Sequence, residues 1–197
     1  PAGINIYYTL MLKPDFSSDC APMLTLVMAL AVAKGIRQTL RRDSEEAAAK
    51  VGIKWPNDIV VDGKKVCGIL TEMSMEQGYI QHIVIGVGIN VRKQEFPEEI
   101  RDRAAAIDEQ CGFRISRSQL IADIMEAFEE DYEIFLRTHD LKGLRASYAE
   151  LLVNQDREVC VLDPKGEYRG IARGINDQGE LLVERQDGTV EEVYAGE

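Results

Sequence analysis

Apolar and polar positions alternate from the start of the chain. Ile4, Ile6, Tyr8, Leu10 and Leu12 recur with period two and predict a strand. Ser17-Ser18-Asp19 then offers N-cap oxygens, and Pro22 suits a first helical turn. The following residues are apolar nearly all round until Lys34, which predicts a helix over about 20–42 buried against a sheet. A polar link, Arg41 to Lys50, leads into Gly52-Ile53-Lys54-Trp55-Pro56-Asn57-Asp58-Ile59-Val60-Val61, a strand, a corner and a second strand. Asp62-Gly63 is the pair expected in a two-residue hairpin turn between Val61 and Lys64. Residues 65–75 and 79–90 read as two more strands joined by Glu76-Gln77-Gly78, and the apolar character of the second marks a central strand.

The pattern then becomes helical. Phe96-Pro97-Glu98-Glu99 opens a helix whose Ile100, Ala104, Ile107 and Cys111 share a face before Gly112 ends it. Ser116 and Gln119 form a capping box ahead of Leu120, Ile121, Ile124, Met125, Phe128, Tyr132, Phe135 and Leu136, a core stripe at helical spacing. The acidic stretch Glu126 to Glu133 reads as the solvated face of that helix, and Leu141 to Val153 as a short further helix. From Asp156 onward short strands alternate with turns: 157–162, Asp163-Pro164-Lys165-Gly166, 168–175, Asn176-Asp177-Gln178-Gly179, 181–184, Gln186-Asp187-Gly188 and 190–194. This spacing suggests a small SH3-like barrel. The expected division is 1–153 and 154–197, and the expected class is α/β (α+β), a mixed sheet flanked by helices with the barrel appended.

Charge narrows the function classes. The 197 residues carry a net charge of −11, and all of the excess lies after residue 90, where 25 acidic side chains face 14 basic ones. A surface of this sign repels phosphate backbones, so nucleic-acid binding through these residues is not expected. The longest apolar run, Met23 to Ala33, is shorter than the ~20 residues that span a bilayer. Cys20, Cys67, Cys111 and Cys160 lack metal-binding or C-x-x-C spacing and read as reduced thiols of a cytoplasmic protein. With two histidines, His82 and His139, there is little material for a zinc site or a Ser-His-Asp triad.

Two stretches carry candidate chemistry. Pro56 stiffens the corner so that Lys54, Asn57 and Asp58 project from one short segment; this suits an anionic ligand, or an ordinary surface turn. Gly86 and Gly88 face one side of a strand, leaving either a flat slot for a planar ligand or a seat for a closely packed helix.

Together these stretches resemble the biotin–protein ligases. Lys54-Trp55-Pro56-Asn57-Asp58 looks like that family's signature, Gly86-Val87-Gly88-Ile89-Asn90-Val91 is similar to its second block, and Gly170 to Gly196 resembles its C-terminal barrel. The resemblance implies a class II synthetase-like catalytic domain that joins biotin to ATP as biotinyl-5′-adenylate and then passes biotin to a lysine of a biotin carboxyl carrier protein. By the same resemblance Lys54 would be the catalytic cation between carboxylate and phosphate, where a preorganised donor is worth about 3–4 kcal/mol. Gly68, Ile69, Gly86 and Gly88 would join Lys54 in holding biotin, and Trp55, Asn57 and Asn90 would contact the nucleotide. Asp58 would help hold Mg²⁺ through water. Pro1-Ala2-Gly3-Ile4-Asn5 resembles the segment after the family's Gly-Arg-rich adenylate loop, so that loop is expected upstream, in a longer protein that continues past Glu197 as well. The family also allows a homodimer. The alternatives are a lipoate ligase, disfavoured by the Trp-Pro corner and the barrel, and a biotin-sensing repressor, which would need a basic DNA-binding segment upstream.

Overall fold

The computed structural model describes residues 3–162 and 166–194. The expected turn residues Asp163, Pro164 and Lys165, together with Pro1, Ala2 and Gly196, lie outside them. Among the described residues, β1 (Ile6–Leu12), β2 (Val51–Lys54), β3 (Asp58–Val61), β4 (Lys64–Glu76) and β5 (Tyr79–Ile89) form one sheet in the order β1-β5-β4-β3-β2. Each neighbouring pair is antiparallel. Parallel pairing enters as two isolated bridges, Ile53 with Leu152 and Lys65 with Ala104. Asp62 (φ 51) and Gly63 (φ 76) both adopt the left-handed conformation that a two-residue hairpin turn requires. Gln77 (φ 51) and Gly78 (φ 86) repeat the device between β4 and β5.

Helix α1 (Met23–Arg41) follows a short 3₁₀ turn at Ser18–Cys20 and lies between the sheet and α4 (Arg117–Thr138). Residues Ser18–Arg41 are long and apolar enough to cross a membrane, more so than the Met23–Ala33 run suggested. Here, though, Leu24, Val27, Met28, Leu30 and Ile36 are fully buried, as in the core helix of a globular fold. Gly35 lets the two helices touch at the backbone: a Cβ there would fall 2.7 Å from the Ile124 nitrogen and 2.8 Å from its Cα.

Four local expectations change. The link after α1 contains a helix, α2 (Glu45–Ala49), which the Ser44 hydroxyl caps by accepting the Ala47 N–H at 3.1 Å. The helix expected from residue 97 shrinks to α3 (Ile107–Cys111), with turns at 98–103. Its backbone is used elsewhere: Lys65 N–H donates to Arg103 at 2.7 Å, and Ala105 N–H donates to Lys65 at 2.9 Å. Gly112 (φ 80) still ends it. In α4 Ser116 caps Gln119 N–H at 3.3 Å, but the Gln119 amide bonds Asp123 rather than closing the box. The stripe also buries two carboxylates, and Asp131, inside the supposedly solvated acidic face, is fully buried 2.5 Å from Lys34 Nζ.

Helix α5 (Arg145–Leu151) leads to β6 (Glu158–Val161), β7 (Tyr168–Ile175), β8 (Leu181–Glu184) and β9 (Val190–Val193), an antiparallel sheet in chain order consistent with an SH3-like fold. Apolar residues of both sheets belong to one continuous core.

Asp123 ties α4 to α1: its carboxylate accepts from Thr39 Oγ1 at 2.6 Å, from Gln119 Nε2 at 2.9 Å and from both terminal nitrogens of Arg42. Burial alone would raise its pKa, but the bonds from Arg42, Thr39 and Gln119 outweigh it and hold the carboxyl below the usual range. A depressed folded-state pKa gives stability that is present above the unfolded value of about 3.9 and lost as the pH falls through the folded one. Asp123→Asn should therefore lower stability at pH 7 by about 1–3 kcal/mol in urea unfolding. The difference should narrow below about pH 4; a gap unchanged down to pH 2 would contradict this account.

Candidate functional site

Residues directly opposite each other in antiparallel strands point to the same face of the sheet. One row therefore runs through all five strands: Ile53, Ile59, Cys67, Ile89 and Ile6. Every member is buried, so this row faces α1 and the core. The adjacent row reads Lys54, Asp58, Gly68, Gly88 and Tyr7, and it faces the opposite side, with Leu70, Gly86 and Thr9 forming the next row beyond it. The sheet register thus gathers the lysine corner and the glycine block on one open face.

Among the described residues, no helix packs on Gly86 and Gly88. A Cβ at Gly86 would meet only the Leu70 carbonyl at 3.7 Å, and one at Gly88 only the Tyr7 ring at 3.4 Å. The flat-slot reading of these glycines therefore holds over the helix-packing one. Gly68, Gly86 and Gly88 floor an open groove of about 650 Å³, walled by Tyr7, Asn57 and Leu70, with Ile69 and Lys65 at its margin. Behind the floor, burial pushes the Cys67 thiol and the Tyr8 hydroxyl above their ordinary pKa values, so both stay neutral.

The lysine at this groove is Lys65. A bulge between Ile59 and Val60 shifts the β3–β4 register, bringing Lys65 opposite Val60 and its ammonium beside Gly68 and Asp58. Lys65 Nζ lies 2.5 Å from Asp58 Oδ1, and a Cβ on Gly68 would be 3.3 Å from that nitrogen. Lys54 stands in the same row at the sheet edge, three strands or about 14 Å from Gly88. It borders a separate depression with Trp55, Asn154 and residues of β6, β8 and β9. Lys65, and not the expected Lys54, is thus the lysine that lines the groove. A one-residue bulge, invisible to period-two reading, made the difference. Tyr7 was also missed, because nothing in its own strand marks it as site-facing.

Trp55, expected at the nucleotide, has a buried side chain whose indole Nε1 donates to the Gly179 carbonyl at 2.9 Å, and it borders the depression beside Lys54 rather than the groove. The peptide bond between Trp55 and Pro56 is cis. Asn57 donates from Nδ2 to the Ile69 carbonyl at 2.9 Å and accepts the Ile69 N–H at its own carbonyl at 3.1 Å, which fixes the groove margin. Asn90 continues the face beyond Gly88; its Oδ1 accepts from Gln94 at 3.3 Å, in a cluster that includes Asn5 and the Tyr7 hydroxyl.

A resident metal ion does not fit. Asp58 is a single carboxylate already neutralised by Lys65, and no group of three or more metal-binding side chains occurs among the described residues. Asp58 holds Lys65 at the groove margin.

Comparison with known proteins places the chain in a family. Residues 1–90 match the model of the biotin/lipoate A/B protein ligase family and residues 156–197 match that of the biotin protein ligase C-terminal domain, together well over half of the chain. The chain is 36% identical over 199 residues to the bifunctional ligase/repressor BirA of Bacillus spizizenii, covering 99% of this chain and 58% of that protein. It is 27% identical to the biotin–[acetyl-CoA-carboxylase] ligase of Paracoccus denitrificans, covering 93% of this chain and 75% of that one. The chain thus spans less than two thirds of the first of these relatives. The biotin protein ligase of Aquifex aeolicus, solved in complex with biotin and ATP, superposes with a TM-score of 0.78 at 26% identity over 98% of this chain and 76% of that one. With both family models, the curated relatives and the fold in agreement, the chain belongs to the biotin protein ligase family.

Proposed function

We propose that the protein activates biotin with ATP and transfers it to a lysine of a biotin carboxyl carrier protein. The observation that carries this reading is the glycine-floored groove with Lys65 and Asp58 at its margin. A fused, flat ureido ring with a short acyl chain suits a surface where three Cβ atoms are missing, and its carboxylate would end near an ammonium. The biotin carboxylate oxygen attacks the α-phosphorus of ATP, forming the mixed anhydride as pyrophosphate leaves. The carrier amine then attacks the acyl carbon, and AMP departs with the bonding electrons. Both anions of the first step repel each other, and a fixed cation beside them offsets that repulsion and the charge growing on the phosphoryl oxygens.

We assign that cation to Lys65, with Lys54 adding positive charge from the end of the row. Asn90 is positioned beyond Gly88 for contact with the nucleotide base, and Asn57 braces the groove margin. Mg²⁺ would arrive with the ATP phosphates rather than in a protein-built site. Residues 1–153 would form the catalytic unit and 154–197 its supporting barrel, in a cytoplasmic enzyme that could pair with a second copy.

In the full-length protein, Lys65→Ala should cut biotin-dependent ATP–pyrophosphate exchange by a factor on the order of 10² to 10³. Lys54→Ala should cost less than about tenfold, as expected of a more distant and exposed charge. Exchange by the Lys65 variant at the wild-type rate would sink the assignment. Gly86→Val should leave the fold intact, because only the Leu70 carbonyl approaches that position. It should weaken biotin binding in calorimetry by about tenfold or more by filling the groove. Lipoate bound more tightly than biotin by the wild type would overturn the substrate class.

A further inference from the structure

The turn between β7 and β8 is built to hold something. Asn176 Oδ1 accepts the N–H groups of Gln178 and Glu180 at 3.0 and 2.9 Å, and Gly179 N–H returns to the Asn176 carbonyl at 3.1 Å. The turn is anchored to the helical layer by Arg145, 2.7 Å from Asp177 Oδ1, and by Leu141 N–H, 2.8 Å from the Asp177 carbonyl. At its tip Gly179 has φ +83, and a Cβ there would fall 2.9 Å from both Leu26 and Leu141. The tip is therefore wedged between α1 and the start of the 141–151 segment, with its carbonyl presented to the Trp55 indole at 2.9 Å.

Trp55 is held on its other sides as well. Its N–H donates to Asn154 Oδ1 at 3.2 Å, and the next carbonyl, that of Pro56, accepts from the Tyr148 hydroxyl at 3.5 Å. The following two residues are Asn57, which fixes Ile69 at the groove margin, and Asp58, which holds Lys65. A ring that served only as packing would need its area and not its one polar atom. Here the N–H is spent on a carbonyl of the C-terminal sheet, 124 residues away in the chain.

We propose that the turn Asn176–Gly179 is a latch through which the C-terminal sheet sets the position of Lys65, with Trp55 as the positioning residue. The inference rests on the proposed ligase reaction. The latch acts on the step in which Lys65 faces the reacting anions, and leaves the glycine floor that receives biotin unchanged.

The test compares full-length wild type, Trp55→Phe, Asp177→Asn and the double variant by thermal unfolding, biotin calorimetry and pyrophosphate exchange per active site, counted from the burst of adenylate. Phenylalanine keeps most of the ring and removes the donor; asparagine loosens the turn from its far side at a half-exposed ion pair. Each single variant should lower kcat for exchange by between about 10- and 100-fold, the cost of a misplaced catalytic group. Biotin affinity should stay within about twofold. The double variant should be little worse than Trp55→Phe, because both changes release the same contact. Trp55 is the only tryptophan, so a red-shifted emission in Asp177→Asn would report the freed indole directly. Unchanged kcat per active site in both single variants, with or without a lower melting temperature, would overturn the latch. If wild type exchanges no pyrophosphate, or Lys65→Ala exchanges normally, the ligase reading itself fails, and the two failures are thereby distinct.

Discussion

Strand register is the constraint on which the rest of this molecule depends. Side chains alternate between the two faces of a sheet, so a shift of one residue in any pairing would exchange the buried row for the site row. Ile53, Ile59, Cys67, Ile89 and Ile6 lie one position from Lys54, Asp58, Gly68, Gly88 and Tyr7 along their strands. A slip would bury Lys54 and Asp58 against α1 and expose the row of isoleucines. The hydrophobic core therefore secures the site: the burial of five apolar side chains on one face holds the polar row in place on the other. The two tight hairpin turns, Asp62-Gly63 and Gln77-Gly78, fix the same register by a second and independent means.

Within that register a single irregularity places the cation. Regular pairing through β4 would send Lys65 to the face opposite Asp58 and Gly68. The bulge at Ile59/Val60 restores it to the open face, and the bridge from Lys65 to Ala104 satisfies the backbone groups that the bulge displaces from the ladder. That bridge in turn stops the preceding segment from continuing as a helix. One local defect in the sheet thus accounts for the placed lysine and for the shortened α3. Bulges beside functional sites commonly re-aim a side chain in this way.

This explains what could be read from the chain and what could not. The strands, the α1 and α4 helices and the C-terminal strands all follow periodicities that depend on a residue and its near neighbours. Tyr168–Ile175 and Leu181–Glu184 fall where turn residues bound them. The glycine face followed from period two alone. By contrast, the placement of Lys65 beside the groove depends on a pairing irregularity, and the seating of the Trp55 indole on a carbonyl far along the chain. Asp123 and Asp131 were hidden for a related reason: a carboxylate in a helix reads as surface until its partners Arg42, Thr39 and Lys34 arrive from another element. Non-local partners carry no periodic signal.

Charge along the site row shows why two lysines are better than one. Lys65 and Asp58 form a pair with no net charge, so an anion approaching from a distance meets little attraction from it. At contact the pair is no longer neutral in effect, because the ammonium lies on the groove side beside Gly68 while the carboxylate is largely covered. Two unit charges 4 Å apart still interact by about 4 kcal/mol at an effective dielectric of 20. Asp58 thus keeps Lys65 in place without cancelling its short-range field. Lys54, exposed at the row's end, adds a second positive charge to this row at longer range, on a chain whose overall charge is −11. Its contribution is screened over about 8–10 Å at ordinary ionic strength, whereas that of an ammonium in direct contact with a bound anion is not. In the proposed reaction Lys54 would therefore serve the approach of an anion and Lys65 the contact where the two anions meet.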